Sequence, residues 1–513
     1  MSAWEEHVGA ALLGTARRPP PALPDAPDAG SDAAARLLDQ AALLTVRRRA
    51  GLRPARGGAD PVAPAPPEDL PPVPPAAAAR LDRVLAGEGD GCLAEWLGLA
   101  ADRGLRVPAR VVPDLLEQGR GKDGWHLRAP IAAVAGRRGV WLALQNPRWA
   151  WLIASAADPG TDDPAVWTGG TAEQRVAYLA RLRRADPAAA RAALLDVWDR
   201  DRAVHRPEFL TPFGAGLSAA DEEFLELALD DRTGSVRLAA ANLLARLPES
   251  AYAARMAARA RACVRAERRT VRRRAQTWLH VEPPAEHDEG MARDGVPFHP
   301  EGSFAPGRTP APPRAWLREI VARTPPATWT GAFGLPPAEI LALPVTDGAA
   351  AGRGADDLHL GLARAALRFH DAGWARALLT AGVLLDEPRV LGELVHELPA
   401  AERDDAAAGL VRWVDDARAL TDGLLRTLPR PWSGALAATM TAKVAALLER
   451  PAGTANTALQ ALCASAAHGF DPALADRAAD RFAEVPAAET AAARDRLAAT
   501  LRFRHDMLKE FPP

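Results

Sequence analysis

Residues 218–248 carry the pattern of two short helices placed back to back, and this pattern most limits what the chain can fold into. Ser218 and Asp221 match the capping box of a helix start, and apolar residues recur at helical spacing along both segments. Pro248 ends the second helix because proline cannot continue the hydrogen-bond ladder. Each helix is too short to be stable alone in water, so neighbouring helices must cover its apolar face.

The rest of the sequence favours the same helical class. Alanine, leucine and arginine are abundant and form helices well, whereas tyrosine, which favours strands, occurs only twice. A similar helix start recurs at Asp186, Asp371 and Asp471, which indicates repeats in both halves of the chain. The order of an acidic turn, Val-Arg, Ala-Ala and Leu-Leu in residues 230–244 resembles a HEAT repeat. We therefore expect an all-α fold without strands: a HEAT-like α-solenoid in the N-terminal half, then a second helical-repeat domain after a Pro/Gly-rich break.

Proline- and glycine-rich stretches without periodicity indicate where this helical chain divides. The expected parts are N-terminal helices in 1–52, a Pro-rich linker in 53–75, a HEAT-like helical domain in 76–280, a linker in 281–315 and a C-terminal helical domain in 316–513.

Charge and cysteine content limit the compartment and the partners. The formal net charge of −2 gives no global attraction to nucleic acid or to an anionic membrane. The three cysteines lie far apart, so they form neither a disulfide framework nor a Cys-x-x-Cys zinc site, and they suit a reducing cytosol. The first twenty residues lack the charge pattern of a signal peptide, and Pro147 and Arg148 interrupt the most apolar segment. We expect a cytoplasmic protein that does not enter a membrane.

Motifs for chemistry are weak. Gly119, Gly121 and Gly124 match G-x-G-x-x-G, but a short predicted helix, not a strand, precedes them, so a loop between helices is expected. The stretch from His280 to His299 is rich in histidine and acidic residues, yet its spacing matches no zinc or calcium signature and favours an exposed acidic linker. The sequence therefore predicts no catalytic residues, no cofactor and no metal site.

Arginines concentrate in one segment that is expected to be helical, within a long helix over 252–279. Residues 255–274 contain nine arginines and a single acidic residue, Glu267. On a helix, one face would be lined by Arg261, Arg265, Arg268 and Arg272. Such a stripe can be solvated or paired within the chain, bind an acidic protein surface, or follow a phosphate backbone.

The sequence around residues 146–151 adds a second candidate contact. Tryptophan beside arginine is common at binding hot spots. Trp141 and Trp151 follow the apolar pattern of their helices, which favours core packing, so Trp149 is the candidate for an exposed contact.

Three segments, WEEHVGAALLGTARRPPP, GRRGVWLALQNPRWAWL and EEFLELALDDRTGSVRLAAANLLARLPES, resemble a bacterial family of uncharacterised proteins of about this length. Its members are commonly encoded near a SWIM zinc-finger protein and a MoxR-type AAA ATPase with a von Willebrand A-domain (VWA) partner. The resemblance implies a setting in an ATPase-linked assembly. It carries over no catalytic residue.

Three functional hypotheses follow. The first is a non-catalytic helical scaffold that binds a protein with an acidic surface, with the MoxR-type ATPase or the VWA protein as candidate partners. The second is a HEAT-like nucleic-acid-binding protein, with Trp198 beside Asp199 or Trp413 near Asp415 offering the residue types of enzymes that act on damaged bases. The third is a metal-dependent enzyme that carries no recognisable motif.

Overall fold

The fold is mostly helical, as expected. The computed structural model of the chain describes residues 3–23, 26, 32–50, 62–89, 91–121, 124–155, 164–202, 204–271, 274–298, 312–347, 354–449, 456–486 and 490–512. These residues fall into two compact units, Met1–Pro64 and Ala65–Pro513. The predicted linkers lie partly outside this description, at 53–61 and at 299–311.

The first unit contains two helices, α1 (Ala3–Leu13) and α2 (Ala33–Ala50). One buried polar contact joins them: His7 Nε2 lies 2.8 Å from Gln40 Oε1. Because both side chains are buried, this hydrogen bond satisfies two groups that would otherwise be costly to remove from water.

The second unit contains the remaining helices. Its first half holds α3 (Pro75–Leu85), α4 (Leu93–Asp102), α5 (Val112–Gln118), α6 (Arg128–Val134), α7 (Gly136–Gln145), α8 (Ala150–Ser155), α9 (Pro164–Gly169), α10 (Ala172–Ala185), α11 (Pro187–Val197), α12 (Arg206–Leu210), α13 (Glu222–Leu229), α14 (Gly234–Leu244), α15 (Ala251–Cys263) and α16 (Glu289–Arg293). Its second half holds α17 (Pro313–Ala322), α18 (Ala327–Phe333), α19 (Pro337–Leu341), α20 (Gly354–Arg368), α21 (Ala372–Ala381), α22 (Pro388–Glu397), α23 (Ala400–Trp413), α24 (Gly434–Leu448), α25 (Asn456–Ala467), α26 (Pro472–Ala483) and α27 (Ala491–Lys509).

The helix pair that the sequence predicts at 218–248 is present as α13 and α14. Ser218 and Asp221 form the predicted capping box at its start. Phe224, Leu225 and Leu229 of α13 are buried, and so are Val236, Ala240 and Leu244 of α14. The apolar stripes read from the sequence are therefore the faces that enter the core.

The long helix expected over 252–279, and with it the arginine-rich helix 255–274, is wrong beyond Cys263. There α15 ends, and the chain continues as strands β1 (Val264–Val271) and β2 (Arg274–Val281). A third strand, β3 (Val345–Asp347), completes a sheet of order β1-β2-β3, antiparallel between β1 and β2 and parallel between β2 and β3. Arginine favours helices locally, but the β-branched and aromatic residues of this segment pack well in strands, and the apolar base of the hairpin is buried.

Two hydrophobic clusters form the core of the second unit. The larger runs from Leu179 to Leu501 and takes residues from both sides of 281–315. The smaller runs from Val73 to Leu152 and also contains Met507 and Phe511 from the C-terminal end. The first helices of the unit therefore pack against its last helix. Division of the unit into separate domains at 76–280 and 316–513 stays a prediction.

Part of the predicted linker 53–75 is held in place. Val73 donates its backbone N–H to Arg106 O at 3.0 Å and is buried, and Glu68 accepts the backbone N–H of Arg137 at 2.8 Å. Residues 65–75 accordingly belong to the second compact unit.

Candidate interaction surface on an arginine-rich hairpin

The hairpin of β1 and β2 is anchored at its base and exposed beyond it. The register pairs Val264 with Val281 at the base and Val271 with Arg274 at the far end. Val264, Leu279 and Val281 are buried, and the Leu279 N–H donates to Pro344 O at 2.9 Å. From Arg265 to Thr270, β1 is exposed at all positions except the half-buried Arg269. The core thus fixes one end of a ribbon whose arginine-rich end lies in solvent.

Strand geometry changes the predicted distribution of arginines. Successive strand residues point to opposite faces, so Arg265 and Arg268 lie on opposite faces of the ribbon. The prediction that both share one face with Arg261 is wrong, because it rested on helical spacing. Arg261 lies exposed in the last turn of α15, and Arg272 lies outside the described residues.

Some arginines of the hairpin are paired within the chain. Arg265 Nη2 lies 3.0 Å from Glu282 Oε2. Arg269 Nη2 lies 2.7 Å from Glu267 Oε2, and its guanidinium lies 5.7 Å from the centre of the Trp278 ring. The hydrogen bond from Arg269 lowers the pKa of Glu267. Pairing of this kind is the intramolecular alternative that the sequence left open.

Other arginines keep their charge uncompensated. Arg261 and Arg268 make no hydrogen bond or ion pair with any described residue. Residues 264–281 contain six arginines and one glutamate, so the ribbon has a strongly positive local charge in a chain whose net charge is −2. This local charge is what the hairpin offers to a partner.

Trp149 lies apart from the hairpin. It ends a short 3-10 turn after α7, is half-buried, and packs against the smaller hydrophobic cluster. Its Nε1 donates to Glu117 Oε2 at 3.0 Å, which lowers the pKa of Glu117. Only part of the indole ring is open to a partner, and the structure does not join Trp149 and the hairpin into one site.

The histidine- and acid-rich stretch serves local structure. His287 Nε2 lies 2.8 Å from Val296 O, Asp288 caps α16, and Asp294 pairs with arginines 255, 259 and 293. His299 lies outside the described residues.

Elsewhere in the described chain, one cluster has the donor types of a zinc site. Ligand atoms of Cys92, Glu95 and His468 lie within 4.8 Å of one another. Both oxygens of Glu95 accept hydrogen bonds from Arg504, at 2.6 and 2.7 Å. The carboxylate therefore already has a cationic partner, which makes it a poor metal ligand.

The remaining candidates from the sequence are the glycine motif and the two pairs of tryptophan and aspartate. The glycines of the G-x-G-x-x-G match follow α5 and precede a short 3-10 turn and α6, as expected for a loop between helices; Lys122 and Asp123 lie outside the description. Trp198 is buried edge-on against Phe224, so it cannot meet a nucleic acid. Trp413 is exposed, and Lys443 Nζ lies 2.7 Å from Asp415 Oδ1.

Sequence reasoning missed a group of arginines that come together only in the fold. Arg246, Arg364 and Arg368 line one cavity of ≈ 510 Å³.

Among the helices of the described residues, none has the combination of length and apolar character that a membrane span requires.

Comparison with known proteins places the chain in a family without placing it in a functional class. The chain matches no curated protein and no solved structure. The model of one family, described as a family of unknown function (DUF5691), matches residues 6–511, so the chain belongs to the DUF5691 family.

Proposed function

We propose that the protein is a non-catalytic α-helical scaffold that binds another protein through its arginine-rich hairpin. The observation that carries the proposal is the exposed ribbon of β1 and β2, in which Arg268 has no acidic partner among the described residues. A guanidinium left exposed in this way can pair with a carboxylate of a partner without first breaking an internal ion pair.

The helical packing supports the scaffold part of the proposal. Consecutive helices contact each other in α10–α11, α13–α14, α20–α21, α21–α22, α22–α23, α23–α24 and α26–α27. We propose a HEAT-like stack for the helices of 76–280, the last of which ends at Cys263, and a second helical-repeat region for 316–513. Stacked helix pairs supply a rigid support, so the hairpin is presented in one orientation and loses little entropy on binding.

The proposed partner has an acidic surface. The family resemblance directs the choice to a MoxR-type AAA ATPase or its VWA partner in a bacterial cytoplasm. The described cysteines Cys92, Cys263 and Cys463 are all free and buried, which suits a reducing compartment.

The experiment is co-purification of the full chain with the purified ATPase and, separately, with the VWA protein. The proposal expects a stable complex of defined stoichiometry with one of them, weakened by added salt because the contact is electrostatic. A chain that stays monomeric and unbound in both mixtures would contradict the proposal.

A nucleic-acid partner is the second candidate, and one observation favours it. A two-stranded antiparallel ribbon can enter the major groove of DNA, and the two strands of this ribbon carry four arginines. The discriminating measurement is duplex binding as a function of salt, with the variant Arg265→Ala/Arg268→Ala/Arg272→Ala. Loss of three phosphate contacts would reduce the slope of log K against log[salt] by about 3. Absence of duplex binding at low salt would exclude this candidate.

A further inference from the structure

A cavity of ≈ 510 Å³ lies where the end of α14, α17 and α20 meet, away from the hairpin. Arg246 follows α14, Glu319 and Ala322 lie on α17, and Arg364 and Arg368 lie on α20. The volume is in the range of pockets that hold small organic ligands, and it exceeds the size of a bare phosphate ion.

Positive charge around this cavity exceeds negative charge. Three arginines line the cavity, and a fourth, the buried Arg323, pairs with Glu319, the one carboxylate in the lining. The lining also contains His370, whose Nδ1 lies 3.1 Å from Glu397 Oε2. Glu319 divides its charge between Arg323 Nε at 3.6 Å and Arg364 Nη1 at 3.1 Å. One carboxylate cannot neutralise four guanidinium charges, so the site keeps a net positive charge that a bound anion would balance.

Arg368 is half-buried at the cavity and makes no ion pair with a described residue. Its Nε donates to Ala322 O at 3.1 Å, whereas its two Nη groups make no hydrogen bond or ion pair with a described residue. Neither Nη nitrogen is completely buried. Desolvation and the nearby Arg323 lower the pKa of Arg368 to about 10, which is the expected response of a cation held without a counter-charge. Two nitrogen donors therefore remain available at the cavity.

The other lining residues add two arginines and an apolar surface to the cavity. Arg364 is about half exposed and Arg246 is exposed, so both can approach an anion from the sides. Leu367 and Ala322 supply apolar surface beside the charges. Leu367 also lines a second cavity of ≈ 700 Å³, where Arg426 and Arg430 lie.

We propose that this cavity binds the phosphate group of a phosphorylated small molecule. Arg368 and Arg364 would each present N–H groups to the phosphate oxygens, because the planar guanidinium matches the oxygen spacing of phosphate. Arg246 closes the site from the solvent side, and the organic part of the ligand lies against Leu367. This inference does not depend on the scaffold function or on the hairpin.

The test is calorimetric titration of the full chain with inorganic pyrophosphate at constant ionic strength. The proposal expects saturable binding by the wild type and at least tenfold weaker binding by Arg368→Gln, since hydrogen bonds between two charged groups are the strong ones. Arg364→Gln should weaken binding to a similar extent. The matched control is Arg389→Gln, whose exposed arginine pairs with Glu393 outside the cavity and should leave the dissociation constant unchanged.

Thermal unfolding of the same variants separates binding from folding. Without pyrophosphate, Arg368→Gln should unfold at a temperature no lower than the wild type, because it removes a poorly compensated cation. With pyrophosphate, the wild type should gain stability and Arg368→Gln should not. The proposal is overturned if the wild type shows no saturable binding at about 10 mM pyrophosphate, ten times the dissociation constant of a weak millimolar site. It is equally overturned if neither cavity variant binds more weakly than Arg389→Gln.

Discussion

Arg183 and Asp221 form a bidentate ion pair with both side chains sealed from solvent. Arg183 Nη1 donates to Asp221 Oδ1 at 2.9 Å, and Nη2 donates to Oδ2. Arg191 Nη1 lies 2.9 Å from the same Oδ1, and the Ser218 N–H donates to Oδ2 at 3.0 Å. Asp221, which forms the capping box with Ser218 in the turn just before α13, therefore also joins this turn to α10.

Removing the buried carboxylate should be costly. Asp221→Ala leaves Arg183 buried without its counter-charge, and breaking a pair of this kind costs about 3–5 kcal/mol. The exposed pair of Arg200 and Asp196 provides the control, because Asp196→Ala should cost at most about 1 kcal/mol. Urea unfolding of the three proteins measures the difference. Equal midpoints for the two variants would contradict the structural role of Asp221.

The same pair predicts a pH dependence. Burial alone would raise the pKa of Asp221, but hydrogen bonds from Arg183, Ser218 and Arg191 lower it below the ordinary value. A lowered carboxylate pKa adds stability above the unfolded-state pKa of about 3.9, and this stability is lost as the pH falls through the folded-state pKa. The stability difference between the wild type and Asp221→Asn should therefore be largest above about pH 4 and shrink below it. A difference that stays constant down to acidic pH would contradict this explanation.

Local sequence signals predicted the helix starts well and the hairpin poorly. Asp186 accepts the backbone N–H groups of Ala188 and Ala189, and Asp371 and Asp471 cap α21 and α26, as the repeated helix start indicated. Caps depend on a few neighbouring residues, so a sequence reveals them. The hairpin depends on burial of Leu279 and Val281 and on β3, which lies more than sixty residues further along the chain. Such tertiary contacts override the helix propensity of arginine.

A designed disulfide tests the hairpin directly. The Glu282 N–H donates to Cys263 O at 2.8 Å, which makes the directly opposed residues Arg268 and Thr277 a non-hydrogen-bonded pair with Cα atoms about 4.5 Å apart. The variant Arg268→Cys/Thr277→Cys should therefore form a disulfide on mild oxidation. In a helix these positions would be about 13 Å apart, too far for a bond.

The control for the disulfide is Arg268→Cys/Gln276→Cys. Gln276 opposes Arg269, so its side chain points to the other face of the ribbon and should remain unlinked. Cys263 will not interfere, because burial raises the pKa of its thiol to about 11 and leaves it protonated. Mass spectrometry with thiol labelling counts the free cysteines. Equal oxidation of the two variants would contradict the register.

Contact between the two ends of the second unit predicts a further cost. Arg504 of α27 is buried and donates two hydrogen bonds to Glu95 of α4, besides those to the carbonyl oxygens of Ala467 and Phe470. Glu95→Ala should cost about 3 kcal/mol and speed amide hydrogen exchange in α27. The control is Asp480→Ala, which removes the exposed partner of Arg502, another arginine of α27. It should change neither the stability nor the exchange in α27 appreciably. Unchanged exchange in Glu95→Ala would show that the ion pair does not hold the two ends together.

The candidate sites differ in how much of each could be predicted. The cluster of arginines at 265–274 is visible in the sequence because its members are neighbours, but their faces depend on strand geometry. The cavity arginines were missed because Arg246 is separated from Arg364 and Arg368 by more than one hundred residues and α17 lies between them in the chain. Only the i, i+4 spacing of Arg364 and Arg368 on one helix was a local signal.

Affinity for the proposed acidic partner, measured with reversed charges on the hairpin, tests the central claim most directly. Arg265→Glu/Arg268→Glu should weaken binding of the MoxR-type ATPase or the VWA protein by at least about a hundredfold, because repulsion replaces attraction at the unpaired Arg268 and the change at Arg265 removes further positive charge from the ribbon. Arg389→Glu/Arg418→Glu makes the same charge change on exposed helix arginines and should bind like the wild type. Equal affinities for the two double variants would contradict binding through the hairpin.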